Sequence, residues 1–329
     1  MWLLEQLWIY VGIFEKSEMK RYIEIDVIKG LTILLVVLGH CQCQYPINNE
    51  EVLSSMFIYA YKCFPMPLFI MVSGFLYKEK GSWKLFFKEK ISRLIVPYAF
   101  FSLLFLIKRN LTSSITGHQP IAFGDFLYSL LIGENYWFLW TLFFMLCVYK
   151  LARKYTFSMI AILFAVLFYF FEASLPFSIG RLFQLSCFFV VGVLIRKKYA
   201  EFKRFSCNLL GLLFFIALFW ASLLMNEYFL FYHFISPLLG AISMWILSVM
   251  ISPISSVTKV LSHFGKYSLQ YYLNHLLIIT LAFYFVKYAH LDYKYINLCV
   301  PFIFAVLGSF LLLKIENCNK YLKYLAGLN

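Results

Sequence analysis

Charge is what this sequence has least of. Only 14% of its 329 residues are Asp, Glu, Lys or Arg, against about 25% in a soluble globular domain. Acids are scarcest, at 16 against 29 basic residues. Proline and glycine are sparse too, at 9 and 15, which excludes a collagen-like or low-complexity chain. There is no G-x-S-x-G elbow, no P-loop and no dinucleotide fingerprint, so the sequence offers no serine-hydrolase or nucleotide-binding signature. What it has in excess is apolar bulk: 62% hydrophobic residues, with 38 Phe, 24 Tyr and 7 Trp. That much apolar surface excludes disorder. The composition is that of an all-α polytopic membrane protein, a transmembrane helical bundle. Its apolar runs are continuous and lack the period-2 alternation of a β-barrel strand.

Ten apolar runs are visible, at about 25–43, 57–77, 92–108, 136–149, 157–172, 180–195, 208–225, 231–251, 267–286 and 295–314. A spanning helix needs about 20 residues. The stretch 126–132 reads as a short re-entrant or surface piece before the fourth run. When successive loops are placed on alternate sides, 23 of the Lys and Arg fall on one side and 6 on the other: Lys62, Lys108, Arg109, Arg181, Lys287 and Lys294. By the positive-inside rule the first side is cytoplasmic, and both termini with it. The net charge of +13 is thus topology and lipid contact, and no nucleic-acid partner is expected. No internal repeat is visible.

Residues 1–20 are expected to form a cytoplasmic or interfacial segment, 21–316 the transmembrane domain and 317–329 a cytoplasmic tail. Two readings of 1–14 stand: an amphipathic helix in the interface, or an extension upstream of a true start at Met19. His40-Cys41-x-Cys43 has metal-ligand types without zinc spacing, so no metal is expected. Cys41, Cys43 and Cys63 lie near one surface, and a disulfide among them stays open.

Polar residues inside a span need a reason. Asp26, Lys29 and His40 fall on one stripe of the first run, because eleven steps of about 100° return Lys29 and His40 to nearly the same face, about 16 Å apart. Each also has an ordinary reading: Asp26 as a helix N-cap, Lys29 as a snorkelling anchor, His40 as an interfacial histidine. Ser268, Tyr271, Tyr272 and His275 share a face of the ninth run at i, i+3, i+4 and i+7. Lys90 and Arg93 are three apart where the third run enters the membrane.

The order of these elements resembles the acyltransferase-3 family of membrane acyltransferases, which O-acylate surface glycans of bacteria. The family opens with Asp, two residues, a basic residue and Gly, then an apolar run ending in His; its hallmark is Arg, ten residues, His. Here that is Asp26, Lys29-Gly30 and His40, with Lys for Arg, as in the fucose 4-O-acetylase-like branch. Phe64-Pro65-Met66-Pro67 through Ser73-Gly74-Phe75-Leu76 resembles its second-span stretch. Lys90-Ile91-Ser92-Arg93 followed by Pro97-Tyr98 resembles its Arg-x-x-Arg and Pro-Tyr. Tyr136-Trp137-Phe138-Leu139-Trp140 and Gly265 through His275 resemble its later elements.

The resemblance implies an integral-membrane O-acetyltransferase of a bacterial plasma membrane. Its donor would be cytoplasmic acetyl-CoA, with no permanently bound cofactor. Its acceptor would be a sugar hydroxyl of a cell-envelope or capsular polysaccharide or a lipid-linked glycan. It assigns His40, Lys29 and Asp26 to catalysis, Lys90 and Arg93 to the coenzyme phosphates, and His275, Ser268 and Tyr272 to the substrate path. His40 would serve as general base or as a transient acyl carrier. The alternative function is a transporter or glycan-export component of the same architecture.

Overall fold

A computed structural model describes residues 22–44, 52–78, 81–116, 119–171, 179–289 and 296–328, with side chains described at all of these but 43–44, 52–57, 114–116, 153–157, 287 and 296–297. Residues 1–20 therefore lie outside the described residues. In chain order the helices are α1 (Ile23–Gln44), α2 (Val52–Cys63), α3 (Pro65–Leu76), α4 (Trp83–Lys90), α5 (Val96–Thr116), α6 (Phe123–Ile132) and α7 (Trp137–Phe171). They continue with α8 (Ile179–Lys197), α9 (Tyr199–Ser206), α10 (Leu209–Leu223), α11 (Ser236–Ile251), α12 (Ser255–Lys266), α13 (Ser268–Tyr288), α14 (Ile296–Cys318) and α15 (Lys320–Leu325). The fold is all-α among the described residues, as the apolar runs predict.

The span count differs from the ten runs. Among the described residues, six helices are long and apolar enough to cross a bilayer, or up to eight if each of two bent pairs counts as one span. Residues 137–149 and 157–171, from two separate runs, belong to a single 35-residue helix, α7. The expected turn at Lys150 is helical because residues 150–157 contain neither Gly nor Pro to stop it. The run 208–225 forms only the 15-residue α10, set at 90° to α9. The piece at 126–132 is α6, bent 43° from α7.

Two helix pairs lock through glycine. A Cβ on Gly30 would strike the Leu261 carbonyl, and one on Gly265 would strike the Asp26 carbonyl, so α1 and α12 meet backbone to backbone. Gly74 and Gly192 stand in the same relation to the Phe189 and Met71 carbonyls, joining α3 to α8. Small residues permit this approach, and packing is what holds helices together in lipid. Below α3, Arg196 donates to the carbonyls of Phe75 at 2.9 Å and Tyr77 at 3.0 Å, satisfying a helix end. Trp245, wholly buried, packs edge-on against Phe75 and Phe202 at the centre of the core.

Prolines shape the rest. Pro65 and Pro67 break the second run at Phe64, so α2 and α3 are separate helices. Pro97 and Pro237 lack the N–H that would reach four residues back. Each is preceded by a π-helical turn, Ile91–Ile95 and Phe231–Ile235, and each leaves the carbonyl of the residue four before it, Arg93 or His233, without its usual helical donor. The His233 carbonyl takes Gln184 Nε2 at 3.4 Å. The Arg93 carbonyl lies 3.2 Å from where a Cβ on Gly327 would stand, and that residue's left-handed φ of +71° favours glycine.

Candidate active site

His40 lies about 16 Å along α1 from Lys29 and opens onto a cavity of about 130 Å³. α1 lines it with Leu35, Val36, Gly39 and His40, and Tyr272 of α13 closes one side. The break at Phe64 supplies another wall: Tyr61 and Lys62 precede it, Pro65 and Met66 follow it. The last wall is Trp137, first residue of α7. Gly133, left-handed at φ 72°, ends α6 and turns the chain toward Trp137. The Arg181 guanidinium sits 4.6 Å from the Trp137 ring centroid, so two cations, Lys62 and Arg181, stand at or just behind the cavity wall.

His275 meets His40 from α13, with ring centroids 5.0 Å apart and planes inclined by 54°. It is fully buried and lies 5.8 Å from the Tyr272 ring, one ring back from the cavity. Its Nδ1 is 3.1 Å from the Tyr271 carbonyl. A carbonyl only accepts, so this bond assigns the proton to Nδ1 and leaves a lone pair on Nε2 of the neutral ring. That Nε2 has no hydrogen-bond partner among the described residues.

The helix carrying His275 is held from three directions. The Tyr136 hydroxyl donates to the Leu273 carbonyl at 3.0 Å. Asn274 Nδ2 donates to Glu316 Oε1 on α14 at 2.9 Å. Lys108 of α5 donates to the Leu276 carbonyl and the Thr280 hydroxyl, both at 2.9 Å. The sequence counted Lys62 and Lys108 only as topology signals, quoted Tyr136 and Asn274 within motifs without giving them a role, and passed over Glu316. Glu316 falls two residues past the end of the run 295–314, so the cost of a polar residue inside a run did not single it out.

The other expected site residues fall elsewhere. Asp26 and Lys29 pair with each other at 3.0 Å, both mostly buried, at the far end of α1 from His40. Glu24 beside them is buried, bonded to Lys203 at 2.8 Å and to the Tyr199 hydroxyl. Ser268 begins α13, seven residues or about 10 Å from His275. Tyr271 turns away, its ring 5.0 Å from Phe264 of α12. Lys90 and Arg93 converge on one carboxylate oxygen of Glu89, at 2.9 and 3.8 Å. Cys41 and Cys63 carry free thiols; the Cys43 side chain lies outside the described residues.

Comparison with known proteins gives the class. The model of the acyltransferase-3 family, described as an acyltransferase domain, matches residues 22–314. The chain belongs to that family. It is also similar to nodulation protein NolL of Sinorhizobium fredii (strain NBRC 101917 / NGR234), with 30% identity over 124 residues, which is 36% of this chain and 33% of the relative. The chain thus matches about a third of that relative's length. No solved structure matches it significantly.

Proposed function

We propose that this chain is an integral-membrane O-acetyltransferase of a bacterial plasma membrane. It moves acetyl from cytoplasmic acetyl-CoA to a sugar hydroxyl of a cell-envelope or capsular polysaccharide, or of its lipid-linked precursor. The observation that carries the reading is the placement of His40: an imidazole facing a small cavity, backed by a second imidazole 5.0 Å away, within a bundle of this family.

A cavity of about 130 Å³ is well below the 300–1,000 Å³ of drug-sized ligand sites. It suits a two-carbon acyl group meeting one hydroxyl, while the body of a coenzyme stays outside. Acetyl-CoA supplies an activated acyl carbon. His40 would take the hydroxyl proton as the oxygen attacks, a role suited to an imidazole at neutral pH. Lys62 and Arg181 would lend positive potential to the oxyanion formed on that carbon. Lys90 and Arg93 fit the coenzyme phosphates in charge, and Glu89 holds the two cations together until an anion takes its place. Asp26 and Lys29 brace the start of α1 and so act on His40 through the helix.

The test compares purified wild-type protein with His40→Ala, reading coenzyme A release from acetyl-CoA in the presence of envelope glycan extract. Loss of a general base should lower the rate by about 10²–10⁴-fold, with donor binding retained. No release and no coenzyme binding by either protein would defeat the reading and favour transport.

A further inference from the structure

We propose that His275 is the positioning partner of His40. Its Nε2 accepts the His40 N–H that points away from the cavity, so the cavity-facing nitrogen of His40 carries the lone pair. The inference rests on the transferase reading and specifies how that site is held ready.

Three observations carry it. The Tyr271 carbonyl fixes the His275 tautomer and leaves Nε2 as an acceptor. That acceptor is buried and has no partner among the described residues, a costly state unless some donor reaches it. The nearest imidazole is that of His40, and two rings joined edge to edge by an N–H···N bond of about 2.9 Å have centroids about 5 Å apart, the separation found. The planes stand 54° apart, so forming the bond requires a turn of the His40 ring, for which χ2 is a soft torsion. A base oriented by a third group is the general arrangement for activating a hydroxyl.

The transfer step then balances. The sugar oxygen bonds to the acetyl carbon and the carbon–sulfur bond breaks. His40 takes the hydroxyl proton on its cavity-facing nitrogen while its other N–H stays on His275. The proton then passes to the departing thiolate, and both histidines return to their starting tautomers.

The test uses the full chain carrying His275→Leu or His275→Gln. Leucine fills the space but accepts no hydrogen bond; the glutamine carbonyl can accept one. His275→Leu should lower kcat for coenzyme A release by about 10²-fold or more with the KM for acetyl-CoA unchanged, and His275→Gln should recover to within about tenfold of wild type. Nitrogen-15 spectra of His40 should show one tautomer in wild type and a mixture in His275→Leu, a readout that needs no turnover. Wild-type kcat in both variants would overturn the proposal. So would equal loss in both with an unchanged His40 tautomer, since that pattern reports only packing. An inactive wild type would count against the transferase reading alone, because the tautomer measurement would still decide the role of His275.

Discussion

At its Ile23 end α1 is wedged. Gly265 lies on the Asp26 carbonyl, Asp26 and Lys29 satisfy each other, and Glu24 is held by Lys203 and Tyr199. At its other end the same helix meets a cavity, and the neighbouring His275 has a nitrogen with no hydrogen-bond partner among the described residues. One end spends its polar groups on holding helices together. The other leaves them available. Substitutions at the wedged end should therefore cost stability, and substitutions at the open end should cost turnover.

The sharpest check of this contrast is His40→Ala, expected to lose about 10²–10⁴-fold in rate while its thermal midpoint falls by no more than one lost hydrogen bond to His275, about 1 kcal/mol. A large fall in midpoint would erase the distinction between the two ends. Next is Gly265→Leu. Its side chain would collide with backbone, which cannot move aside as a flexible side chain does, so the cost should exceed the about 1–3 kcal/mol of ordinary overpacking, seen as a lower midpoint or loss of folded protein. Lys29→Met should cost about 1–2 kcal/mol, because it leaves Asp26 mostly buried without its cation; Lys29→Arg should recover most of it in the same melt. Tyr136→Phe is the smallest change and sits at the boundary. It removes one hydrogen bond to the Leu273 carbonyl, about 1 kcal/mol, and should lower the rate of coenzyme A release only a few-fold by loosening α13 behind His275.

The class of fold was legible in the residues. Scarce charge and continuous apolar runs leave only a helical membrane bundle, and the family motifs follow in order along it. The histidines were legible as well, because an imidazole in an apolar run is costly enough to stand out. Topology was less so. Lys150 looks like a turn by charge, yet the chain there has no breaker and continues as α7. The two π-helical turns were readable only afterwards, from the missing N–H of Pro97 and Pro237. The helical rise already set Asp26 and Lys29 about 16 Å from His40 on their shared stripe, but only the packed helices show that the cavity lies at the His40 end.

Composition and periodicity by themselves determined the solvent of this protein, its helical class and the face on which each polar residue lies, because those follow from local chemistry and a 3.6-residue repeat. The meeting of His40 with His275 was decided only in three dimensions. It depends on glycines 30 and 265 letting α1 and α12 approach, on Pro65 breaking the second run to open a wall, and on Tyr136, Asn274 and Lys108 holding α13 in place. These contacts join residues up to 239 positions apart in sequence, Asp26 and Gly265, and no local pattern encodes which helices become neighbours.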